Sequence, residues 1–150
     1  MSEKKRSTVY LAGNPNCGKT TIFNALTGLH QNVGNYPGVT VEKRDGTFIY
    51  ENSEFFITDL PGTYSLTSFS PEEKITQDRL SEDNPDAVVL VVDATALERS
   101  LVLLVQIMMT GANTILCLNM SDEAKRNGQV IDLNLFSQLL GIPVVETVGN

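Results

Sequence analysis

Gly13, Gly18, Lys19 and Thr20 stand in the spacing G-x-x-x-x-G-K-[ST], filled here as Gly13-Asn14-Pro15-Asn16-Cys17-Gly18-Lys19-Thr20. Glycines in such a loop let backbone N–H groups turn inward and cradle phosphate oxygens. A helix that starts at Lys19 adds the partial positive charge of its N-terminus at the same place. The Lys19 ammonium can then reach β- and γ-phosphates, and the Thr20 hydroxyl can bind Mg²⁺. The chemistry implied is the binding of a nucleoside triphosphate and attack on its terminal phosphate.

Three further groups follow in a fixed order. Thr40 closes the stretch Tyr36-Pro37-Gly38-Val39-Thr40, where a hydroxyl completes a Mg²⁺ shell only while a γ-phosphate holds its loop shut. Asp59-Leu60-Pro61-Gly62 follows an apolar run. Its carboxylate can hold Mg²⁺ through water, and the Gly62 N–H can touch the γ-phosphate. Asn119-Met120-Ser121-Asp122 ends another apolar run. The Asp122 carboxylate can accept two hydrogen bonds from guanine's ring N–H and exocyclic amine, a pair adenine lacks. Singly, each has an ordinary explanation in turn chemistry. Their order points to a guanine nucleotide.

The elements that must position these residues read as an alternation of strands and helices. Strands are predicted over 8–12, 47–50, 55–58, 87–92, 114–118 and 142–145, the second and third forming a hairpin across 51–54. Helices are predicted over 19–26, from Pro71 onward, over a largely buried 97–110, and over 133–140 before Gly141. Residues 28–40 read as a long loop and 61–70 as an irregular stretch. This predicts an α/β fold with a six-stranded, mostly parallel sheet flanked by helices, its phosphate and base loops on one edge. No closing helix follows Val145, so the chain reads as one G-type domain, 1–150, cut from something longer.

Composition narrows the class. With 150 residues, 41% apolar and 19% charged, the chain fits one domain. Eleven Lys and Arg against eighteen Asp and Glu leave a formal charge of −7, which argues against a nucleic-acid partner gripped by a basic face. Cys17 and Cys117 are too few for a disulfide framework and read as reduced thiols of a cytosolic protein. No run reaches the roughly 20 apolar residues of a membrane span. Residues 1–7 are polar and basic, unlike a signal peptide, and Lys4-Lys5-Arg6 reads as a solvated tail. His30 stands alone, so no iron site is expected in this domain. Cys17, near a helix N-terminus, is weighed as a low-pKa thiol against a small side chain at a tolerant loop position.

Taken together, the ordered motifs resemble the guanine-nucleotide-binding domain of the regulatory GTPases, the Ras-like P-loop NTPase fold. Four segments narrow the resemblance: Gly13-Asn14-Pro15-Asn16-Cys17-Gly18-Lys19-Thr20-Thr21, Val33-Gly34-Asn35-Tyr36-Pro37-Gly38-Val39-Thr40-Val41-Glu42, Asp59-Leu60-Pro61-Gly62-Thr63-Tyr64-Ser65-Leu66 and Val92-Asp93-Ala94-Thr95-Ala96-Leu97-Glu98-Arg99. They are similar to the N-terminal GTPase domain of the ferrous iron transport protein B family, where the asparagine–methionine form of the base motif is also usual. The resemblance implies GTP/GDP and Mg²⁺ as ligands. It implies a switch domain that regulates ferrous iron transport from the cytoplasmic face of the bacterial inner membrane. The partner would be a membrane-embedded transporter region of the same polypeptide. It assigns nucleotide contacts to residues 13–21, Gly38, Val39, Thr40, residues 59–62, Asn119, Met120 and Asp122. Lys19, Thr40, Gly62 and Asn16 form the catalytic set, with Thr20, Thr40 and Asp59 around Mg²⁺. The family usually carries a Ser-Ala pair after the last strand, contacting the base. Thr147-Val148-Gly149-Asn150 stands there instead, and Thr147, Val148 and Gly149 are taken as the nucleotide contacts in that place.

Hydrolysis is expected to be slow. Thr63 occupies the position where many GTPases place a water-orienting glutamine, and residues 29–41 contain no Lys or Arg to serve as an arginine finger. A potassium ion could supply part of that charge through the Asn16 carbonyl; alternatively Asn16 only braces its loop. A rival reading is a soluble assembly GTPase that times ribosome or tRNA maturation, which would share the 13–20 loop.

Overall fold

The computed structural model describes residues 5–149; Met1 to Lys4, in the N-terminal reading above, and Asn150 lie outside them. Strands β1 (Lys5–Gly13), β4 (Ser53–Asp59), β5 (Ala87–Asp93), β6 (Thr114–Asn119) and β7 (Val144–Glu146) run parallel. Strands β2 (Gln31–Asn35) and β3 (Glu42–Tyr50) add antiparallel pairings at one side, giving the order β2-β3-β4-β1-β5-β6-β7. The helices are α1 (Lys19–Thr27), α2 (Pro71–Glu82), α3 (Leu101–Met109), α4 (Ser121–Arg126) and α5 (Leu133–Leu140).

Side chains of the central strands alternate between two cores, as the period of two requires. Leu11, Ile57, Val91 and Cys117 pack with Phe23 of α1. Tyr10, Ala12, Leu90, Val92, Leu116 and Leu118 pack with Leu80 of α2 and with Leu103, Leu104 and Ile107 of α3. The continuous apolar run in β5 is therefore covered on both faces. At the start of α2 the Ser70 hydroxyl accepts from the Glu73 N–H at 3.1 Å, with Pro71 in the first helical turn.

The fold class stands, with differences in detail. The sheet has seven strands rather than six, because residues 31–35 within the expected long loop pair with Glu42–Gly46. β2 is a polar edge strand held by its backbone ladder and the Gln31 amide rather than by buried apolar side chains, so hydropathy periodicity carries no trace of it. The β3–β4 turn is two residues, Glu51 and Asn52, with φ 47° and 63°, a type I′ hairpin turn. Strand β7 runs Val144–Glu146, not over 142–145.

The expected 97–110 helix is divided. A 3₁₀ stretch, Ala94–Ser100, precedes α3, and Ala96 within it has φ −139°. The Asp93 carboxylate turns the chain there by accepting from the Thr95 N–H at 2.8 Å and its hydroxyl at 2.6 Å. Nor is α3 buried all round: Val102, Val105 and Met109 face outward. Helix α4 was not foreseen; it is short and polar, with acids in its first turn and bases in its last. Lys5 and Arg6 are not tail residues but the start of β1, and Arg6 pairs with Glu54 at 3.0 Å.

Candidate functional site

The phosphate loop joins β1 to α1 under tight constraints. A Cβ at Gly13 would meet the Val91 carbonyl oxygen at 2.5 Å and Cys17 Sγ at 2.8 Å. Gly18 caps α1 in the left-handed region with φ 87°, and no side chain caps the helix, so its first N–H groups are left for an anion. Asn16 also takes a positive φ, 65°, and is exposed. Residues 14–21 and Gly62 line a cleft of about 320 Å³.

Inside this region Lys19 and Thr20 converge on one carboxylate. The Lys19 ammonium forms a buried ion pair with Asp59 Oδ1, and the Thr20 hydroxyl donates to Oδ2 at 3.2 Å. Parallel pairing of β4 with β1 aligns Asp59 with Leu11, two residues before the loop begins. The Leu60 N–H continues this by bonding the Leu11 carbonyl at 2.9 Å, and the Thr63 N–H bonds the Gly13 carbonyl at 3.0 Å. Gly62 is pressed against Pro15, since a Cβ would lie 3.1 Å from its Cα. The Pro61 carbonyl accepts from Thr76 of α2 at 3.4 Å. A hydroxyl and a carboxylate facing each other beside a phosphate-binding loop are hard oxygen donors of the kind Mg²⁺ takes. The donor set fits that ion.

The base side is organised by Asn119, whose carboxamide was expected only as a nucleotide contact. Its Nδ2 donates to the Cys17 carbonyl at 3.0 Å and the Gly149 carbonyl at 2.8 Å. Its Oδ1 accepts from the Thr147 hydroxyl at 2.8 Å and the Gly149 N–H at 2.7 Å. Ser121, which sequence reasoning passed over, donates through its hydroxyl to the Thr147 carbonyl at 3.0 Å. Met120 stands at φ 58° and turns the chain into α4. Asp122 lies in the first turn of α4, its side chain 41% exposed and 3.6 Å from Arg126. Val148 is exposed.

Not every expected residue joins the site. The loop with Gly38, Val39 and Thr40 is exposed, and Thr40 does not line the cleft that Lys19 and Thr20 share. Asn14 does line the cleft, while its side-chain Nδ2 donates to the Arg99 carbonyl at 3.3 Å and the Ser100 hydroxyl at 3.2 Å. This tie between the phosphate loop and the 3₁₀ stretch has no signal in local spacing. The Thr63 hydroxyl is buried without a hydrogen-bond partner among the described residues. Burial pushes the Cys17 thiol above its ordinary value, which outweighs the lowering by Lys19, so the low-pKa reading gives way to a packed side chain.

A strand, phosphate loop and helix, with an aspartate ending the adjacent strand and an Asn-x-x-Asp turn on the same sheet edge, define a G domain of the P-loop GTPase type. The family model described as Ferrous iron transport protein B matches residues 7–150. The chain belongs to that family and is its G domain, which sets aside the reading as a ribosome or tRNA assembly factor. It is 50% identical over 142 residues to the Fe(2+) transport protein A/Fe(2+) transporter FeoB fusion protein of Porphyromonas gingivalis, covering 94% of this chain and 17% of that protein. The crystal structure of the cytosolic domain of the T. maritima FeoB iron transporter in GDP form II is similar with a TM-score of 0.93 and 48% identity. It aligns over 96% of this chain and 57% of that one. The GMPPNP form of the same domain gives a TM-score of 0.92 and 48% identity, over 95% of this chain and 57% of that one. The chain spans between 17% and 23% of the length of the curated relatives it matches. Among the described residues no helix is long and apolar enough to cross a membrane.

Proposed function

We propose that this domain binds GTP and GDP with Mg²⁺, hydrolyses GTP slowly, and acts as the nucleotide switch of a longer polypeptide. That polypeptide carries ferrous iron across the bacterial inner membrane through its membrane-embedded region, with this domain on the cytoplasmic face. The observation that carries the nucleotide reading is the convergence of Lys19 and Thr20 on Asp59 beside an uncapped helix N-terminus. The GDP and GMPPNP forms of the similar T. maritima domain support guanine as the base.

In this reading the backbone of residues 13–21 cradles phosphates and Lys19 neutralises them. Thr20 and Asp59 hold Mg²⁺, which supplies charge neutralisation of the phosphates when bound. Thr40 joins them when its loop closes, and the Gly62 N–H meets the γ-phosphate. Asp122 reads the base, with Asn119, Met120 and the 147–149 segment around it. The Asn16 carbonyl, exposed at the loop's rim, is the K⁺ ligand. Slow turnover follows from the buried Thr63 hydroxyl, which cannot orient a water, and from the absence of Lys and Arg in 29–41.

Displacement of a fluorescent GDP by GTP and ATP tests the base reading; ATP competing as well as GTP would remove it. For the longer polypeptide, ferrous iron uptake in cells lacking their own ferrous transporter should be lost with Lys19→Ala. Undiminished uptake would remove the regulatory claim.

A further inference from the structure

Between residues 28 and 41 one side chain is buried, that of Tyr36, which is 6% exposed. Apolar neighbours in the same segment, Leu29 and Val33, are 100% and 59% exposed. The segment is otherwise held to the body by the backbone ladder from Gln31↔Gly46 to Asn35↔Glu42 and, at its far end, by the Gln31 amide, whose Nε2 donates to Asn24 Oδ1 of α1 at 2.8 Å. Tyr36 is thus its one buried side-chain anchor, and the one next to Thr40. The Lys43 ammonium lies 5.7 Å from the centre of its ring. Charged groups around it come from β3 (Asp45), the end of β4 (Asp59), α2 (Arg79) and the residue capping α2 (Asp83).

Backbone bonds tie Thr40 to this anchor. The Tyr36 N–H donates to the Val41 carbonyl at 3.0 Å, and the Val39 N–H donates to the Tyr36 carbonyl at 3.3 Å. Pro37 and Gly38, with φ 76° at the glycine, make the tight turn between them. Thr40 sits inside this closed loop, exposed and away from the cleft. Arg44, four positions on, is the residue opposite Asp59 in the sheet, so Thr40 lies up to about 13 Å along the chain from that pairing.

We propose that Tyr36 is the positioning residue for Thr40: its buried ring latches the 36–41 loop to the sheet, and delivering Thr40 to the phosphate cleft unseats that ring. This rests on the reading of Thr40 as a Mg²⁺ ligand. The latch has a built-in weakness. The Tyr36 hydroxyl is buried without a hydrogen-bond partner among the described residues, so unseating returns it to water, a gain the seated ring forgoes.

The Phe and Ala variants should therefore act in opposite directions. Tyr36→Phe keeps the ring and removes the unpaired hydroxyl, which favours the seated loop. Tyr36→Ala removes the anchor. The readout is the ratio of affinities for a non-hydrolysable GTP analogue and GDP, measured with Mg²⁺ by calorimetry. A second readout is amide exchange of residues 31–41 in the GDP complex. Tyr36→Phe should lower the ratio about fivefold or more, while Tyr36→Ala raises it and speeds exchange. Shifts of both variants in one direction, or unchanged exchange in Tyr36→Ala, would overturn the proposal. Thr40→Ala separates the two claims. If it leaves analogue affinity unchanged, the Thr40 reading fails, whereas the exchange readout in GDP reports on the latch alone.

Discussion

The Asn119 carboxamide lies against Gly18 so closely that a Cβ at residue 18 would come within 2.2 Å of Nδ2. That nitrogen bonds the Cys17 and Gly149 carbonyls, while the amide oxygen holds Thr147 and the Gly149 N–H. One side chain therefore joins the phosphate loop, the end of β6 and the segment after β7. The contact with Gly18 is what lets it do so.

Gly18→Ala should break this junction, since the new Cβ meets the amide and φ 87° strains any L side chain. Asn119→Ala removes four hydrogen bonds at once and leaves their partners to find water. Each variant should lower unfolding free energy by about 2–4 kcal/mol, read by urea denaturation, and weaken nucleotide binding. Asn119→Ala with stability and GDP affinity intact would contradict the bracing role.

Asp122→Asn exchanges an acceptor for a group that also donates. GTP affinity should fall about 100-fold or more while a xanthine nucleotide gains, since two charge-assisted hydrogen bonds to guanine are lost. Competition titrations with GTP and XTP check this. Asp122 pairs only loosely with Arg126, at 3.6 Å and partly exposed, so melting should change little.

Stability should decline on the alkaline side. Burial raises Cys17 and Cys117 above 9.0 and pushes Tyr36 from 10.0 up to about 12, and it raises Tyr10 as well. A raised value means the folded state holds its proton more tightly than the unfolded chain. The stabilisation is complete below the unfolded values and is lost as pH climbs from 9.0 through the folded ones. Unfolding free energy measured from pH 7 to 11 should be level, then fall above about pH 9. The double variant Cys17→Ser, Cys117→Ser should delay the fall toward the tyrosine range.

Single-turnover GTP hydrolysis should be faster in potassium than in sodium at equal ionic strength. The expected gain is about tenfold or more, a part of the roughly 10³- to 10⁵-fold that an arginine finger supplies. Asn16→Ala should abolish the difference while GDP affinity is kept. Equal wild-type rates in the two salts would show that Asn16 only braces the loop.

Much of the site was readable before folding because its parts are local. A strand, glycines at fixed spacing and a helix start are contiguous in residues 8–26, so the spacing from Gly13 to Thr20 specifies a phosphate cradle by itself. Asp59 and the Asn119 to Asp122 turn were legible because each ends an apolar run, and parallel strands end together on one edge. The alternation of elements was likewise enough for the fold class.

Pairing across the chain was a different matter. Lys19 meets Asp59 across 40 positions, and Asn119 meets the Cys17 carbonyl across 102. Strand β2 exists because the backbone of 31–35 meets β3, not because its side chains prefer it. Thr63 turns its hydroxyl inward, and Tyr36 alone in its segment is buried, through neighbours brought by β3, β4 and α2. Residue type and spacing set what a side chain can do within a few positions. Which donor meets which acceptor, and which ring is covered, depends on surfaces that touch only when distant elements pack, and those decided how Thr40 and Asn119 are held.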